Sequence, residues 1–501
     1  MPARRPRPVP DAPGNWPRRL THAQYNRTMR DLLGDQTRPA AQFPPEDFVN
    51  GFRNQIEAQG VPALLAEAYG AAAERLARSY FRGAPSPCPQ PAVKCAGDFA
   101  RDFGQRAFRR RLSETEIARY AAMRDPQLVV EAMLQSPNFL FRVESGAHRP
   151  HEIATRLSYF LWDTMPDETL FRAAASGELA TRAGIERAAR RMVSDPRARE
   201  AVEEFAAEWL RFDTILVAVK DRRQFPQFNP ELAASMTQEV RRLVDDLVWN
   251  DRDFMALYSA GYSFLSSDLA NLYKLPVPPA EFDRVEFPES SPRAGILGMA
   301  HFLTLTSKPE DTSPTGRGLF VREHFLCQHV PDPPPGTNSN LPPLVESKPQ
   351  TNRERLDQHL SNASCATCHR LIDPIGFGFE KFDAIGAYRE KARLVFPSAR
   401  RDRERPPNSV ELPLDTTGTV AGIPNSDFSS PKELGRVLAA SRQCQECVVK
   451  QLFRFGYGRG ESPADRATLD AAYEKFRVSG FRFKELLVAL ATAYASEIAE
   501  R

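Results

Sequence analysis

Two cysteines and a histidine stand within five consecutive residues of this chain, as Cys365, Cys368 and His369 in the run CATCH. The chain of 501 residues holds only 7 cysteines and 8 histidines, so chance is the weakest explanation of this cluster. The spacing C-x-x-C-H is the pattern of covalent haem attachment. Both thiols form thioethers with haem vinyl groups, and the histidine becomes the proximal iron ligand. These residues therefore predict one haem c.

Zinc is the alternative ligand for the same cluster. A tetrahedral zinc site needs a fourth ligand, and ligation by an adjacent cysteine and histidine is geometrically awkward. His359, six residues ahead of Cys365, is the nearest candidate for that fourth ligand. We favour haem and keep zinc as the alternative.

The distal side of the predicted haem iron lacks an obvious ligand. A methionine after the motif is the usual distal ligand of many c-type cytochromes, but no methionine follows Met299. The candidates are His359, His301 and Met299, then His324 and His329, or an open position. A histidine would give a low-potential electron carrier, whereas an open position would permit peroxide or oxygen chemistry. We rank a nitrogen ligand or an open position above Met299.

The other cysteines predict disulfides. Cys88 and Cys95 lie seven residues apart in a proline-rich loop, which favours a local bond between them. Cys444 and Cys447 form a second C-x-x-C, and either could pair with Cys327, so this pairing stays open. Disulfides of this kind indicate an oxidising compartment.

Composition and charge exclude several classes of protein. A hydrophobic fraction of 42%, a charged fraction of 26% and a net charge of +3 are ordinary for a globular chain. No basic surface for nucleic acid is indicated, because basic residues are scattered among acidic ones. No apolar run approaches the roughly 18 residues that a membrane span requires. Walker A, G-x-G-x-x-G and G-x-S-x-G patterns are absent from the sequence, so no catalytic residue is assigned.

Most of the chain has the pattern of amphipathic helices. The pairs Thr21–Gln24 and Ser113–Glu116 are capping boxes that predict helix starts, and Pro196 predicts a break between two helices. The arginine run 109–111 is interpreted as a solvated helix start. Strand signals are few, and the best, RLVFP and LDTTGTVAGI, predict a small hairpin within residues 393–423.

The helical patterns predict a mainly α fold, and the proline-rich segments between them divide the chain into several domains. The basic, proline-rich leader has no apolar core and is not a secretory signal as it stands. The expected divisions are a disordered leader (1–18), an N-terminal helical domain (19–85), a second helical domain (96–146), a central helical domain (147–290), a cytochrome c-like haem-motif domain (291–395), an extended or β-hairpin insertion (396–427) and a C-terminal helical domain (428–501).

Five segments, spread in order over nearly all of residues 19–500, carry a specific resemblance. The chain resembles the planctomycete and myxobacterial family of multidomain cytochrome-like proteins, which are built from several domains of unknown function. The segments begin RRLTHAQYNRTMRDLLGD, FGQRAFRRRLSETEIARY, ATRLSYFLWDTMPDETLF, TSPTGRGLFVREHFLCQHV with HLSNASCATCHRLIDPIGFGFEKFD, and LFRFGYGRGESPADRATLD.

The resemblance implies export, one c-type haem and a redox role in the cell envelope. It places His359 near the haem, because the family pattern has a histidine ahead of the first haem cysteine. Further positions match the family and are interpreted as turn and salt-bridge elements, with Arg389 as a partner; they are Asp373, Glu380, Asp383, Gly376, Gly378 and Gly386. The sequence departs from the family in lacking a signal peptide, and we favour a truncated or misassigned start as the reason.

Two functions follow from these observations. The first is an exported c-type haem protein of the periplasm or cell envelope that acts in electron transfer or as a haem-dependent oxidoreductase, with an unidentified redox partner and substrate. The second is a non-enzymatic binding or scaffold protein of the envelope, in contact with other envelope proteins, whose Cys-His cluster is structural or binds zinc. Neither involves nucleic acid or a transmembrane segment.

Overall fold

The structure is a computed structural model, and it describes residues 17–82, 87–88, 93–333, 344–357, 359–361, 363–396 and 408–499. The chain divides into two compact units. Unit 1 contains the described residues up to Trp209, then Leu452–Ser479 and the residues from Lys484 onward; unit 2 contains Leu210–Gln451 and Gly480–Phe483. The predicted leader lies outside the described residues except for Pro17 and Arg18, and Arg18 already belongs to the first strand.

The described part of unit 1 is mainly helical and contains one short strand pair, in which Arg18 pairs with Arg142 and Arg19 with Phe141. Its elements up to Trp209 are β1 (Arg18–Arg19), α1 (His22–Leu33), α2 (Ala63–Tyr80), α3 (Val93–Phe108), α4 (Glu114–Ala121), α5 (Pro126–Leu134), α6 (Pro137–Leu140), β2 (Phe141–Arg142), α7 (Arg149–Leu161), α8 (Glu168–Ala175), α9 (Arg182–Val193) and α10 (Arg197–Trp209).

The local signals for helix ends in unit 1 are confirmed. Thr21 and Ser113 each close a capping box with the residue three positions on, because side chain and backbone satisfy each other's hydrogen bonds there. The break between α9 and α10 falls at Ser194–Pro196, as the proline predicts. The apolar faces of these helices form one core that includes Tyr25, Met29 and Phe139.

The interpretation of residues 109–111 as a solvated helix start is wrong for Arg109. This residue is buried and follows the C-terminus of α3 in the left-handed region, with a φ of 57°. Its guanidinium donates hydrogen bonds to the carbonyl oxygens of Asn138, Phe139 and Phe141. The arginine is therefore a structural tie between the end of α3 and the segment around β2.

Unit 2 contains the Cys-His motif. Its elements are α11 (Phe212–Leu216), α12 (Pro230–Trp249), α13 (Ala256–Ser259), β3 (Tyr262–Leu265), α14 (Ser267–Tyr273), β4 (Asp283–Glu286), α15 (Ala300–Leu305), α16 (Pro314–Phe320), α17 (Asn352–Asp357), α18 (Ala363–Phe377), β5 (Lys391–Val395), β6 (Ser409–Pro413), α19 (Pro431–Ala440) and the first part of α20 (Arg442–Tyr457). Unit 1 is completed by the end of α20, α21 (Arg466–Val478) and α22 (Phe483–Ala499), whose first residue belongs to unit 2.

The strands of unit 2 form two antiparallel pairs, β3 with β4 and β5 with β6. The predicted hairpin is partly correct. RLVFP supplies most of β5, but its partner is Ser409–Pro413 and not LDTTGTVAGI, so the pair begins ahead of the insertion expected at 396–427. In the predicted partner segment, Gly418 instead forms an isolated bridge with Phe428.

Two disulfides join cysteines within the units. The bond expected between Cys88 and Cys95 is present in unit 1, and Cys327 pairs with Cys447 in unit 2, which resolves the alternative left open by the sequence. Disulfides persist in oxidising environments and are rare in the reducing cytosol. Among the described residues, no helix is both long enough and apolar enough to cross a membrane.

The two disulfides predict unequal losses of stability on removal. Replacing Cys327 and Cys447 together by serine releases a loop of 120 residues, and replacing Cys88 and Cys95 releases one of 7. Loop-closure entropy predicts losses of about 5 and about 2 kcal/mol, respectively. Urea unfolding of the two double variants, each followed on probes of its own unit, tests this order; equal losses would contradict it.

Candidate functional site

The motif lies entirely on one helix, α18. Cys365, Cys368 and His369 occupy positions i, i+3 and i+4, which share one face of an α-helix. All three side chains are half-buried. This face therefore presents two sulfur atoms and an imidazole over about one helical turn.

The seven cysteines fall into three environments. Four form the disulfides, and Cys444 is fully buried, which raises the pKa of its thiol to about 12. Cys365 and Cys368 are the free thiols that remain half-exposed. The motif cysteines are thus the pair that a covalent partner could reach.

His369 is held by an acidic residue of its own helix. Its Nδ1 lies 2.7 Å from Oδ2 of Asp373, one turn further on. This hydrogen bond favours the protonated ring and raises the pKa of His369 above its usual value, although partial burial opposes the shift. Asp373 is buried, and its other oxygen accepts a hydrogen bond of 2.8 Å from Oγ1 of Thr315 on α16.

Glycines let α16 and α18 cross at backbone contact. A β-carbon at Gly318 would lie 1.8 Å from the carbonyl oxygen of Ile372, and one at Gly376 would lie 1.8 Å from that of Pro314. Any larger residue at either position would meet main chain, which cannot move as a flexible side chain does. The crossing therefore fixes the distance at which Thr315 meets Asp373.

The start of α16 is set by local chemistry. Ser313 caps the helix by accepting a hydrogen bond from the backbone N–H of Gly316, and Pro314 occupies the first helical position. A π-helical turn, Val321–Phe325, follows the helix and carries Arg322.

Arg322 supports α18 next to a proline. Pro374 lies inside the helix and has no N–H to donate, which disturbs the hydrogen bonding of the preceding turn. The buried Arg322 donates from Nε to the carbonyl oxygen of Leu371 at 2.9 Å and from Nη1 to that of Ala421 at 2.8 Å. The guanidinium thus holds the middle of the motif helix to a second segment of unit 2.

Arg317 organises the segment that follows the helix. It is fully buried, which lowers its pKa to about 10, and it donates to the carbonyl oxygens of Phe379, Phe382 and Asp383. Its ion pair with Glu380 has an N–O distance of 3.5 Å. This arginine was not singled out in the sequence, because nothing local distinguishes a buried guanidinium from an exposed one.

Most of the residues interpreted as turn and salt-bridge elements have contacts of that kind. Glu380 lies 3.8 Å from the expected Arg389, and Asp383 accepts hydrogen bonds from the backbone N–H groups of Ile385 and Ala387, on either side of Gly386. Gly378 packs against the ring of Phe428. Asp373 pairs with His369 of its own helix, a contact that the i, i+4 spacing signals, whereas Gly376 lies inside that helix and not in a turn.

The distal candidates lie in different surroundings. Met299 and His301 are fully buried; Nε2 of His301 lies 2.9 Å from the carbonyl oxygen of Leu210, and burial lowers the pKa of this histidine to about 4. The ring of His301 packs on Phe212, whereas that of the following residue, Phe302, packs on Phe379 beyond the motif helix. His359 begins a short helical turn, His359–Ser361, and its side chain lies outside the described residues.

The described residues contain no cluster of three or more histidine, cysteine or acidic side chains that could hold a metal ion. Cys365, Cys368 and His369 are close in sequence, but they do not form such a cluster. Thioether attachment requires the two sulfurs to reach haem vinyl groups rather than the metal, so only the histidine would bind iron from this helix.

Comparison with known proteins assigns five family profiles to consecutive parts of the chain, each described as a protein of unknown function. They are DUF1587 (residues 18–82), DUF1595 (95–144), DUF1592 (149–275), DUF1588, also named PSCyt3 (293–392), and DUF1585 (425–495). The chain therefore contains five domains of unknown function, and the motif helix lies in the fourth. No curated protein and no solved structure gives a significant match.

The backbone contact of α16 with α18 predicts a sharp effect of one methyl group. Gly318→Ala and Gly376→Ala place a β-carbon against a carbonyl oxygen, so we expect each to lower the free energy of unfolding by about 3 kcal/mol or more. Gly261→Ala in the same unit is the control, because a β-carbon there meets nothing within 4 Å. Denaturant unfolding measures the losses, and equal stability of the Gly318 and Gly261 variants would refute the close crossing.

Proposed function

We propose that this chain is a c-type haem protein of the periplasm or cell envelope, with one haem joined to Cys365 and Cys368 and with His369 as the proximal ligand. It acts in electron transfer or as a haem-dependent oxidoreductase. One observation carries the proposal: the half-exposed free thiols are those of the motif, and the adjacent His369 has its Nδ1 engaged by buried Asp373.

The donor set fits this cofactor. A histidine that ligates a metal usually donates its other ring N–H to a carboxylate or carbonyl oxygen, and Asp373 is in that place. The two thiols lie on the same helical face as the imidazole, so one planar group could meet all three. When bound, the haem would supply a one-electron iron couple, while the chain supplies attachment, orientation and the electrostatic surroundings.

Two further observations support a location in the periplasm or cell envelope. Covalent haem attachment takes place outside the cytoplasm, and the two disulfides are typical of oxidising compartments. The motif lies in a chain of five domains of unknown function, most of which is helical and outside the motif domain. We assign to these other domains a role in presenting the haem domain to an unidentified redox partner or substrate.

Covalent attachment is tested by removing the thioether donors. In a host with periplasmic haem maturation, the exported wild-type chain should carry haem stain at its own mass on a denaturing gel, and Cys365→Ala/Cys368→Ala should lose it. The matched control is Cys88→Ala/Cys95→Ala, which also removes two cysteines but should keep the stain. Stain that persists in the motif variant refutes the attachment. A wild-type chain without haem favours the scaffold or zinc alternative.

The distal ligand is tested on the ferric spectrum. We rank His359 or an open position first, because the contacts of His301 lie with Leu210 and Phe212, and we rank Met299 last. Met299→Ala should leave the spectrum of the oxidised protein unchanged, as should the control Met255→Ala at another buried methionine of unit 2. Either His359→Ala should alter the spectrum, or the wild-type protein should bind added cyanide readily. A sulfur-to-iron charge-transfer band that disappears in Met299→Ala would reverse the ranking.

A further inference from the structure

We infer that Asp373, held by Thr315, is a positioning residue that orients His369 and strengthens it as an iron ligand, so that the attached haem has a low reduction potential. The inference rests on the proposed haem attachment and goes beyond it, because neither the motif nor the matching families assign a role to Asp373 or Thr315.

The contact with Asp373 leaves one ring nitrogen of His369 to face the iron. In the arrangement we propose, Nδ1 of His369 donates its proton to Oδ2 of Asp373 across the 2.7 Å contact. The ligating atom is therefore Nε2. Because Asp373 lies one turn along the same helix, the contact also restricts rotation of the imidazole ring.

The carboxylate of Asp373 lies in buried surroundings with few polar partners. The side chain of Asp373 is only 3% exposed, and its ion pairs within the described part of the chain involve His369 alone. Its second oxygen accepts the hydroxyl proton of Thr315. By contrast Glu380, the next buried acid along the chain, has two arginines within 4 Å. The negative charge of Asp373 is therefore directed at the imidazole, in a place where water screens it little.

The helix crossing keeps Thr315 next to Asp373. Thr315 belongs to α16, which contacts the backbone of α18 at Gly318 and Gly376. The backbone of Thr315 cannot move away from Asp373 unless the two helices separate, and the carboxylate cannot turn towards solvent without losing both of its hydrogen bonds. The pair Thr315–Asp373 therefore presents one fixed acceptor to His369.

The basicity of the histidine ligand affects the reduction potential of the haem iron. A carboxylate that accepts the Nδ1 proton makes the ligating imidazole more basic, and a more basic ligand favours ferric over ferrous iron. Loss of such a partner typically costs about 10- to 100-fold in metal affinity or activity, and we expect a change of about tenfold in the reduction equilibrium. For a one-electron couple, a tenfold change in the reduction equilibrium corresponds to about 59 mV.

The test is the midpoint potential of the matured, haem-carrying chain. Asp373→Asn keeps the shape and removes the charge, and it should favour reduction at least about tenfold, a rise of about 59 mV. Asp373→Glu should recover part of the wild-type value. Thr315→Val should raise the potential by a smaller amount, and Thr315→Ser, which restores the hydroxyl, should not.

The control is Thr312→Val, which removes the hydrogen bond of a buried threonine to another buried acid, Glu380. It should lower stability without moving the potential. An unchanged potential in Asp373→Asn, with haem attached, overturns the inference and leaves the proposed function standing. If that variant does not mature, equal potentials of the valine and serine variants at Thr315 overturn it. A wild-type chain without haem overturns both proposals.

Discussion

The contact between the backbones of α16 and α18 is the constraint on which the rest of the motif region depends. It exists because Gly318 and Gly376 have no side chain, so each helix lies directly against a carbonyl oxygen of the other. Close packing of this kind leaves few alternative positions for either helix, because overlapping main-chain atoms cannot be relieved by a rotamer change. The position of His369 relative to the rest of unit 2 thus depends on two glycines that have no chemical role of their own.

Two buried arginines, Arg317 and Arg322, add hydrogen bonds that hold the motif helix and the segment after it in place. Arg317 and Arg322 come from α16 and the turn after it, and both donate to main-chain carbonyl oxygens in or beyond the motif helix. A guanidinium has five donors in a rigid fork, so one side chain can hold several backbone segments at once. The cost of burying the charge is offset by those hydrogen bonds and, for Arg317, by Glu380. The segment TSPTGRGLFVREH therefore positions the motif helix, although Arg322 and its partner Leu371 lie 49 residues apart in sequence.

Sequence patterns predicted the features whose cause is local. The capping boxes at Thr21 and Ser113, the break at Pro196 and the disulfide of Cys88 with Cys95 each depend on residues a few positions apart. The errors concern tertiary partners. The predicted partner of β5, LDTTGTVAGI, is wrong, because the strand that pairs with β5 is Ser409–Pro413, which directly precedes the predicted segment. The burial of Arg109 and the contact of Thr315 with Asp373 depend on elements that are distant along the chain. Residue spacing alone therefore could not identify these contact partners.

Energetics explain why Asp373 calls for a functional reason. Burying a carboxylate costs several kcal/mol, and replacing a buried ion pair by apolar residues of similar volume is often neutral or even stabilising. Stability alone therefore gives little reason for an acid between two helices that already lie in close contact. An apolar residue at position 373 would fill the same volume, but it would leave His369 without its acceptor. The orientation and basicity that Asp373 gives the imidazole are what the proposed role of His369 as an iron ligand requires, and a helix contact alone does not require them.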